Sequence, residues 1–148
     1  MVIGAIFAGG IGSRMGSADM PKQYLQLGSK PIIVHTIEKF VVNPGIDRII
    51  VLCPKAWIAH TKDLVKKYLG EAIAEKINVV EGGSTRNGTL ENALKFINEN
   101  FAIDDDSVIV THDAVRPFVT HRIIDENIEA AKKYGACDTV IPATDTIV

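Results

Sequence analysis

The chain has 148 residues, of which 47% are hydrophobic and 23% charged, and its formal net charge is −2. This length and composition are those of one globular domain with a sizeable core, so we expect a single domain over residues 1–148. The nearly balanced charge excludes a basic field that would attract nucleic acid or an anionic membrane surface. No apolar run reaches the length of a membrane span. We therefore expect a cytoplasmic protein without a nucleic-acid or membrane partner.

Apolar runs that are typical of buried strands alternate with segments of helical periodicity. Strands are predicted at residues 2–8, 47–52, 76–81, 107–111 and 136–141, and helices at residues 31–42, 55–69, 87–100 and 120–134. Ser84 is the expected N-cap of the third helix. That helix should bury Leu90, Leu94, Ile97 and Phe101. Both cysteines, Cys53 and Cys137, lie in or beside strand-like runs, which favours buried reduced thiols over a disulfide or a metal site.

This alternation predicts an α/β domain with a mainly parallel sheet and helices on both faces, a Rossmann-like three-layer α/β/α architecture. In such sheets, ligands bind at the carboxyl ends of the strands. The loops at residues 9–27, 82–86 and 113–117 each follow a predicted strand. We expect these three loops to meet at one edge of the sheet.

The first of these loops carries the strongest chemical signal. Residues 9–16 read GGIGSRMG, and Pro21 and Lys22 follow. Glycines allow backbone N–H groups to approach an anion closely, and two fixed cations suit a polyphosphate. The spacing excludes a Walker A loop, and Met15 stands where a dinucleotide fingerprint needs its third glycine. A tight strand–helix connection without a ligand is the remaining alternative.

The motif that runs from Ala8 to Met15, followed by Pro21-Lys22-Gln23-Tyr24, resembles the signature loop of the sugar-phosphate cytidylyltransferases. These are the 2-C-methyl-D-erythritol 4-phosphate cytidylyltransferases and the ribitol-5-phosphate cytidylyltransferases of teichoic acid synthesis. Further blocks match in the same order: PIIVHT at 31–36, GGSTRN at 82–87, HDAVRP at 112–117 and DT at 145–146. The resemblance therefore covers nearly the whole chain.

The resemblance implies a nucleotidyltransferase domain in which Arg14 and Lys22 are catalytic and stabilise the transition state at the α-phosphate of CTP. It implies that Asp113 binds Mg²⁺ or another divalent cation. Arg116 and Thr146 would contact the sugar-phosphate substrate. The nucleotide would contact Phe7, Ala8, Gly9, Gly10, Gly12, Gly82, Gly83, Ser84, Arg86, Asn87, Gly88, Thr89 and Ala114.

For several of these residues a structural role is the alternative. Arg14 and Lys22 would then be solvated surface cations, Asp113 a turn cap, and Ser84 and Thr89 residues that cap and line a helix start. The four histidines show no metal-ligand spacing. We expect one of them, His112, to orient the loop beside it.

Members of the resembled family are longer, with a projecting arm used in dimerisation. We therefore expect a C-terminally truncated, partial CTP-binding domain whose full-length form is a homodimer. Among acceptors, the block that starts at Ala8 and those at 33–40, 112–118 and 138–148 favour ribitol 5-phosphate, with CDP-ribitol and pyrophosphate as products. The alternatives are 2-C-methyl-D-erythritol 4-phosphate, an intermediate of isoprenoid biosynthesis, a transferase for another base, and a CTP-binding fragment without catalysis.

Overall fold

The computed structural model describes residues 1–10 and 20–142. Its strands are β1 (Val2–Phe7), β2 (Gln26–Leu27), β3 (Lys30–Pro31), β4 (Arg48–Cys53), β5 (Ile77–Glu81) and β6 (Val108–Asp113). Within these residues, four strands form one parallel sheet in the order β5-β4-β1-β6, and β2 and β3 form a small antiparallel ribbon. Strand β2 and the 3₁₀ turn before it lie inside the segment predicted as a loop at 9–27, and β3 follows that segment.

The helices are α1 (Ile32–Val41), α2 (Ile58–Leu69), α3 (Glu71–Ala74), α4 (Arg86–Asn100) and α5 (His121–Tyr134). Helix boundaries follow local chemistry. The hydroxyl of Thr120 accepts the Ile123 N–H at 3.3 Å and caps α5, which ends at Gly135 with φ 85°. Helix α2 ends in the same way at Gly70, with φ 84°, a conformation that costs glycine little. None of the described helices is both long and apolar enough to cross a bilayer.

Two apolar clusters separate the helices into layers on either side of the sheet. The larger cluster packs α1, α2 and α5 against alternate residues of β1 and β4, such as Ile6 and Val51. The smaller cluster packs Ala93 and Ile97 of α4 against the opposite face, which includes Ile3. This alternation follows from the two-residue period of a strand. The predicted three-layer α/β/α class is thus confirmed.

The register places the carboxyl ends of the strands side by side. Phe7 is opposite Leu52 on one side and Asp113 on the other, while Cys53 is opposite Glu81. The loops that follow these residues therefore leave the sheet from a single edge. The predicted strands at 2–8, 47–52, 76–81 and 107–111 and all four predicted helices are present, each bound within three residues of the expected one.

The strand predicted at residues 136–141 is wrong, since residues 136–142 have no regular secondary structure. A strand needs a partner for its backbone groups, and this segment is instead tied to α5. The Asn127 side chain donates to Thr139 Oγ1 at 2.6 Å, and Cys137 Sγ lies 3.2 Å from the Asn127 carbonyl oxygen. Cys137 is consequently exposed rather than buried, whereas Cys53 is buried as predicted.

The face that α4 buries also differs from the prediction. Thr85 caps the helix instead of Ser84, with its hydroxyl accepting the Gly88 N–H at 3.0 Å. Leu90 and Leu94 are exposed to 36% and 45%. The helix buries Ile97 as predicted, but its other buried residues are Thr89 and Ala93. These two small side chains allow α4 to pack closely on the sheet, which outweighs the larger apolar area of the two leucines.

Strand β6 is only half-buried, although its sequence predicts a buried strand. Among the described strands it pairs with β1 alone and so lies at an edge of the sheet. Its apolar side chains therefore keep part of their surface in solvent.

Candidate active site

The three loops predicted to converge do meet at the carboxyl edge of the sheet. A Cβ placed on Gly9 would lie 3.7 Å from Thr89 Oγ1, so the start of the glycine-rich loop borders the N-terminus of α4. The Arg86 guanidinium lies 5.5 Å from the centre of the Phe7 ring, in cation–π geometry. Arg86 Nη1 also donates to Asp113 Oδ1 at 2.5 Å. A single arginine thus contacts the ends of β1 and β6 from the loop after β5.

Asp113 lies between two guanidinium groups. Arg86 binds one carboxylate oxygen, and Arg116 Nε donates to the other at 3.0 Å. Burial by itself would raise the pKa of Asp113, but the hydrogen bonds and positive charges of the two arginines outweigh it and hold the pKa below its usual value. The carboxylate is therefore ionised at neutral pH. Because the arginine side chains are 64% and 73% exposed, both remain accessible to a ligand.

The loop between β5 and α4 is built around Gly83. A Cβ at this position would lie 2.3 Å from the Gly88 carbonyl carbon and 2.6 Å from the Thr89 nitrogen, so only glycine fits. Thr89 Oγ1 accepts the Gly83 N–H at 3.1 Å and donates to the Thr85 carbonyl oxygen at 2.8 Å. The Thr89 side chain thus joins the loop to the helix. It is buried, and its predicted contact with the nucleotide stays a prediction.

The loop after β6 is held by two side chains. The buried hydroxyl of Thr36, on α1, donates to the Ala114 carbonyl oxygen at 2.8 Å. His112 Nε2 lies 2.9 Å from the Arg116 carbonyl oxygen. The expectation that His112 orients this loop is confirmed.

Lys22 is exposed and belongs to a 3₁₀ turn over Lys22–Tyr24, whose other two residues are buried. The Gln23 side chain connects this turn to the glycine-rich loop, because its Nε2 donates to the Ala8 carbonyl oxygen at 2.5 Å. The turn that carries the predicted catalytic lysine is therefore anchored to the end of β1.

Most of the predicted site residues lie on or next to the three loops at this edge: Phe7, Ala8, Gly9, Gly10, Gly82, Gly83, Ser84, Arg86, Asn87, Gly88, Thr89, Asp113, Ala114 and Arg116. Gly12, Arg14 and Thr146 lie outside the described residues. The sequence did not assign roles to Gln23, Tyr24, Thr36 or Thr85. All four stand inside the blocks PKQY, PIIVHT and GGSTRN, and that position was the available signal.

The described residues do not form a metal site on their own. Across residues 1–10 and 20–142, no group of three or more His, Cys, Asp or Glu side chains is arranged to hold a metal ion. Asp113 offers one carboxylate, and both of its oxygens already accept hydrogen bonds from arginines. Mg²⁺ is often held by one or two carboxylates together with substrate phosphates. A cation at Asp113 would therefore need phosphate oxygens as further ligands and would share the carboxylate with the two arginines.

The parallel sheet, the glycine-rich loop behind its first strand and the cations at its carboxyl edge define an α/β domain of the nucleotide-binding class. The family model described as "IspD: 2-C-methyl-D-erythritol 4-phosphate cytidylyltransferase" matches residues 2–148, and the chain belongs to this family. The family-level resemblance seen in the sequence is thereby confirmed.

Solved structures agree with this assignment. The 4-diphosphocytidyl-2C-methyl-D-erythritol synthase of Anaerococcus prevotii DSM 20548 is 29% identical, with a TM-score of 0.66 over 89% of this chain and 51% of that chain. A second structure of such a synthase has a TM-score of 0.69 at 24% identity, over 88% of this chain and 53% of that one. The bifunctional IspDF of Campylobacter jejuni has a TM-score of 0.66 at 23% identity, and the match covers 89% of this chain and 31% of that chain. The last two matches show the fold alone.

This chain spans about half the length of the first two structures that it matches.

Proposed function

We propose that this chain carries the CTP-binding and cytidylyl-transfer site of a sugar-phosphate cytidylyltransferase. In the reaction, a phosphate oxygen of a polyol phosphate attacks the α-phosphorus of CTP, the bond to the β-phosphate oxygen breaks, and a CDP-polyol and pyrophosphate form. The observation that carries the proposal is the meeting of Gly9, at the start of the glycine-rich loop, with the Gly83 loop and the Asp113–Arg116 turn at one edge of the sheet. Family membership supports the same reaction.

The chemistry explains why cations surround this edge. The attacking phosphate is already an anion at neutral pH, so it needs no general base, but it must approach a phosphorus atom flanked by other anions. Fixed cations offset this repulsion and stabilise the charge that develops in the transition state. We assign this task to Lys22 and Arg14. Lys22 offers a compact charge and Arg14 a planar fork of donors.

Arg86 and Arg116 have a different task. Both are exposed and both are held in place by Asp113. Guanidinium groups bind phosphate oxygens through two parallel hydrogen bonds when they are suitably oriented. We assign Arg116 to the acceptor phosphate and Arg86 to the nucleotide. Asp113 orients both arginines, and its role as a ligand of a divalent cation stays a prediction.

Two polyol phosphates are candidates for the acceptor substrate. The names of the family model and of the Anaerococcus prevotii structure favour 2-C-methyl-D-erythritol 4-phosphate. The sequence blocks that begin at Ala8, Ile33, His112 and Asp138 resemble the ribitol-5-phosphate branch. Both acceptors are small polyol phosphates and present the same nucleophile, so the residues described above would serve either one.

The test is pyrophosphate release from CTP and Mg²⁺, with each acceptor offered separately to the full chain. Lys22→Ala should reduce the rate by about 10²–10³-fold, by analogy with the loss of one transition-state donor. Lys95→Ala, which removes an exposed lysine in the middle of α4, is the matched control and should retain full activity. Release with UTP or GTP at the rate seen with CTP would refute the choice of base.

Because the chain spans about half of its relatives' length, a CTP-binding fragment without catalysis is the second candidate. Calorimetry separates the two. CTP binding without pyrophosphate release at high protein concentration would support the fragment, whereas release with either acceptor would exclude it.

A homodimer in the full-length form also belongs to the proposal. Size-exclusion chromatography with light scattering tests it.

A further inference from the structure

The turn that carries Lys22 is held more tightly than an exposed loop usually is. The Tyr24 N–H donates to the Pro21 carbonyl oxygen at 3.0 Å, and the Leu25 N–H donates to the Lys22 carbonyl oxygen at 3.1 Å. Gln23 and Tyr24 are 1% and 2% exposed, whereas Lys22 is exposed. A cation that remains in solvent is thus followed directly by two buried polar side chains. Each of them makes a hydrogen bond outside the turn.

Gln23 links this turn to the first peptide of the glycine-rich loop. Its side-chain N–H donates to the Ala8 carbonyl oxygen at 2.5 Å, and the Ala8 N–H itself donates to Leu52 of β4 at 2.7 Å. A peptide group is planar, so fixing the Ala8 carbonyl also fixes the direction of the Gly9 N–H, which belongs to the same peptide. One buried side chain therefore sets both the first amide of the loop and the position of Lys22 relative to it.

Tyr24 anchors the other side of the turn to α2. Its ring stacks on Trp57 with centroids 4.5 Å apart and planes 14° apart, and its hydroxyl lies 2.8 Å from Thr61 Oγ1. Thr61 Oγ1 lies 2.8 Å from the Trp57 carbonyl oxygen and 3.6 Å from Cys53 Sγ. A threonine hydroxyl has one proton, and the nearer carbonyl oxygen is the better acceptor. Thr61 therefore donates to Trp57 and accepts from Tyr24, whose pKa is raised by burial so that the phenol keeps its proton.

We propose that Gln23 and Tyr24 are positioning residues that fix Lys22 relative to the Ala8–Gly9 peptide, the first peptide of the glycine-rich loop. The inference rests on the proposed role of Lys22 in cytidylyl transfer. A misplacement of about 1 Å by a distant change can cost on the order of 10²-fold in rate. Loss of one anchor leaves the other in place, so we expect about a 10-fold fall in kcat. The KM for CTP should change by less than about 3-fold, because the loops after β5 and β6 still bind the nucleotide.

The first measurement is steady-state pyrophosphate release by the full chain and its variants. Gln23→Met keeps the side-chain volume and removes the donor, and Tyr24→Phe keeps the stacked ring and removes the hydroxyl. Thr61→Val should lower kcat at least as much as Tyr24→Phe, because it removes the same hydrogen bond and also the one to the Trp57 carbonyl oxygen. The double variant should lower kcat no further than Thr61→Val alone, because Tyr24→Phe then has no hydrogen bond left to remove. Thr61→Ser, which keeps the hydroxyl, should retain most of the wild-type kcat. Ile128→Val, on the buried face of α5, controls for general destabilisation and should leave kcat unchanged.

The second measurement does not depend on activity. In ¹⁵N relaxation experiments, the amide of Lys22 should have an order parameter of about 0.85 in the wild-type chain and below about 0.6 in a Gln23→Met/Tyr24→Leu variant. The amide of Ile6 in β1 should stay rigid in both. The proposal would be overturned if the order parameter of the Lys22 amide were the same in the variant as in the wild-type chain. It would also be overturned if the fall in kcat were no larger than that of Ile128→Val. If the wild-type chain neither binds CTP nor releases pyrophosphate, the proposed function fails, and the order of Lys22 still decides the positioning role.

Discussion

Replacing Gly83 by alanine is the sharpest test of the loop that joins β5 to α4. The added methyl group would lie 2.3 Å from the Gly88 carbonyl carbon, 2.6 Å from the Thr89 nitrogen and 2.7 Å from the Gly88 carbonyl oxygen. All three are backbone atoms at the start of a helix, so no side-chain rotation relieves the clash. The loop and the helix must move apart. The movement breaks the 3.1 Å hydrogen bond from the Gly83 N–H to the Thr89 hydroxyl.

The expected cost is the sum of two effects. Overpacking of a close contact costs about 1–3 kcal/mol, and the lost hydrogen bond adds about 1 kcal/mol. Gly83→Ala should therefore lower the free energy of unfolding by about 2–4 kcal/mol. For a domain of this size, that corresponds to a fall in Tm of about 4–16 °C. Urea unfolding followed by circular dichroism measures the first quantity, and a thermal melt measures the second.

The neighbouring glycine provides the matched control. A Cβ on Gly82 would lie 3.4 Å from Thr89 Oγ1 and 3.5 Å from its Cγ2, which is ordinary contact. Gly82→Ala should therefore change the stability by less than about 1 kcal/mol. Equal unfolding free energies for the two variants would refute the reasoning. So would a loss below about 1 kcal/mol for Gly83→Ala.

Three further predictions follow from the structure. Asp113→Asn should cost about 1 kcal/mol at pH 7, a value kept low by the exposure of both arginine partners. Because the pKa of Asp113 is lowered in the folded chain, this cost in stability is present above about pH 4 and disappears as the pH falls through the lowered pKa. Urea unfolding at several pH values measures the cost. Gly4→Ala should cost about 1–3 kcal/mol in the same assay, because its Cβ would lie 2.6 Å from a ring carbon of the buried Phe40. Thr36→Val should cost about 1–3 kcal/mol and increase amide exchange at Ala114, since it leaves that buried carbonyl oxygen unpaired.

Each of these has a result that would contradict it. For Asp113→Asn, it is a stability difference from wild type that does not change between pH 7 and pH 3. For Gly4→Ala, it is an unfolding free energy equal to that of the wild-type chain. For Thr36→Val, it is unchanged amide exchange at Ala114, and Thr36→Ser is the variant that should keep the hydrogen bond.

The sequence by itself determined the layers of this protein and the edge at which its site lies. Strand-like apolar runs and amphipathic helices alternate along the chain, and a parallel sheet is the arrangement that buries both. The carboxyl ends of parallel strands share one edge, so the convergence of the loops that begin at Gly9, Gly82 and Asp113 follows from their order alone. Local rules sufficed for the strands and helices that the structure confirms, because each of these is fixed mainly by its own periodicity; the strand predicted at 136–141 had no such outcome.

The tertiary structure alone decided which side chains meet. Arg86 and Asp113 are 27 positions apart, and Gln23 binds the carbonyl oxygen of a residue 15 positions before it. No local pattern predicts such pairs, because they depend on how loops from different strands pack at the sheet edge. The buried face of α4 was mispredicted at Leu90 and Leu94 for the same reason, since the fit of Ala93 against the sheet outweighed the pattern of leucines. Periodicity fixes the elements, whereas the distances between side chains are fixed only when the elements pack.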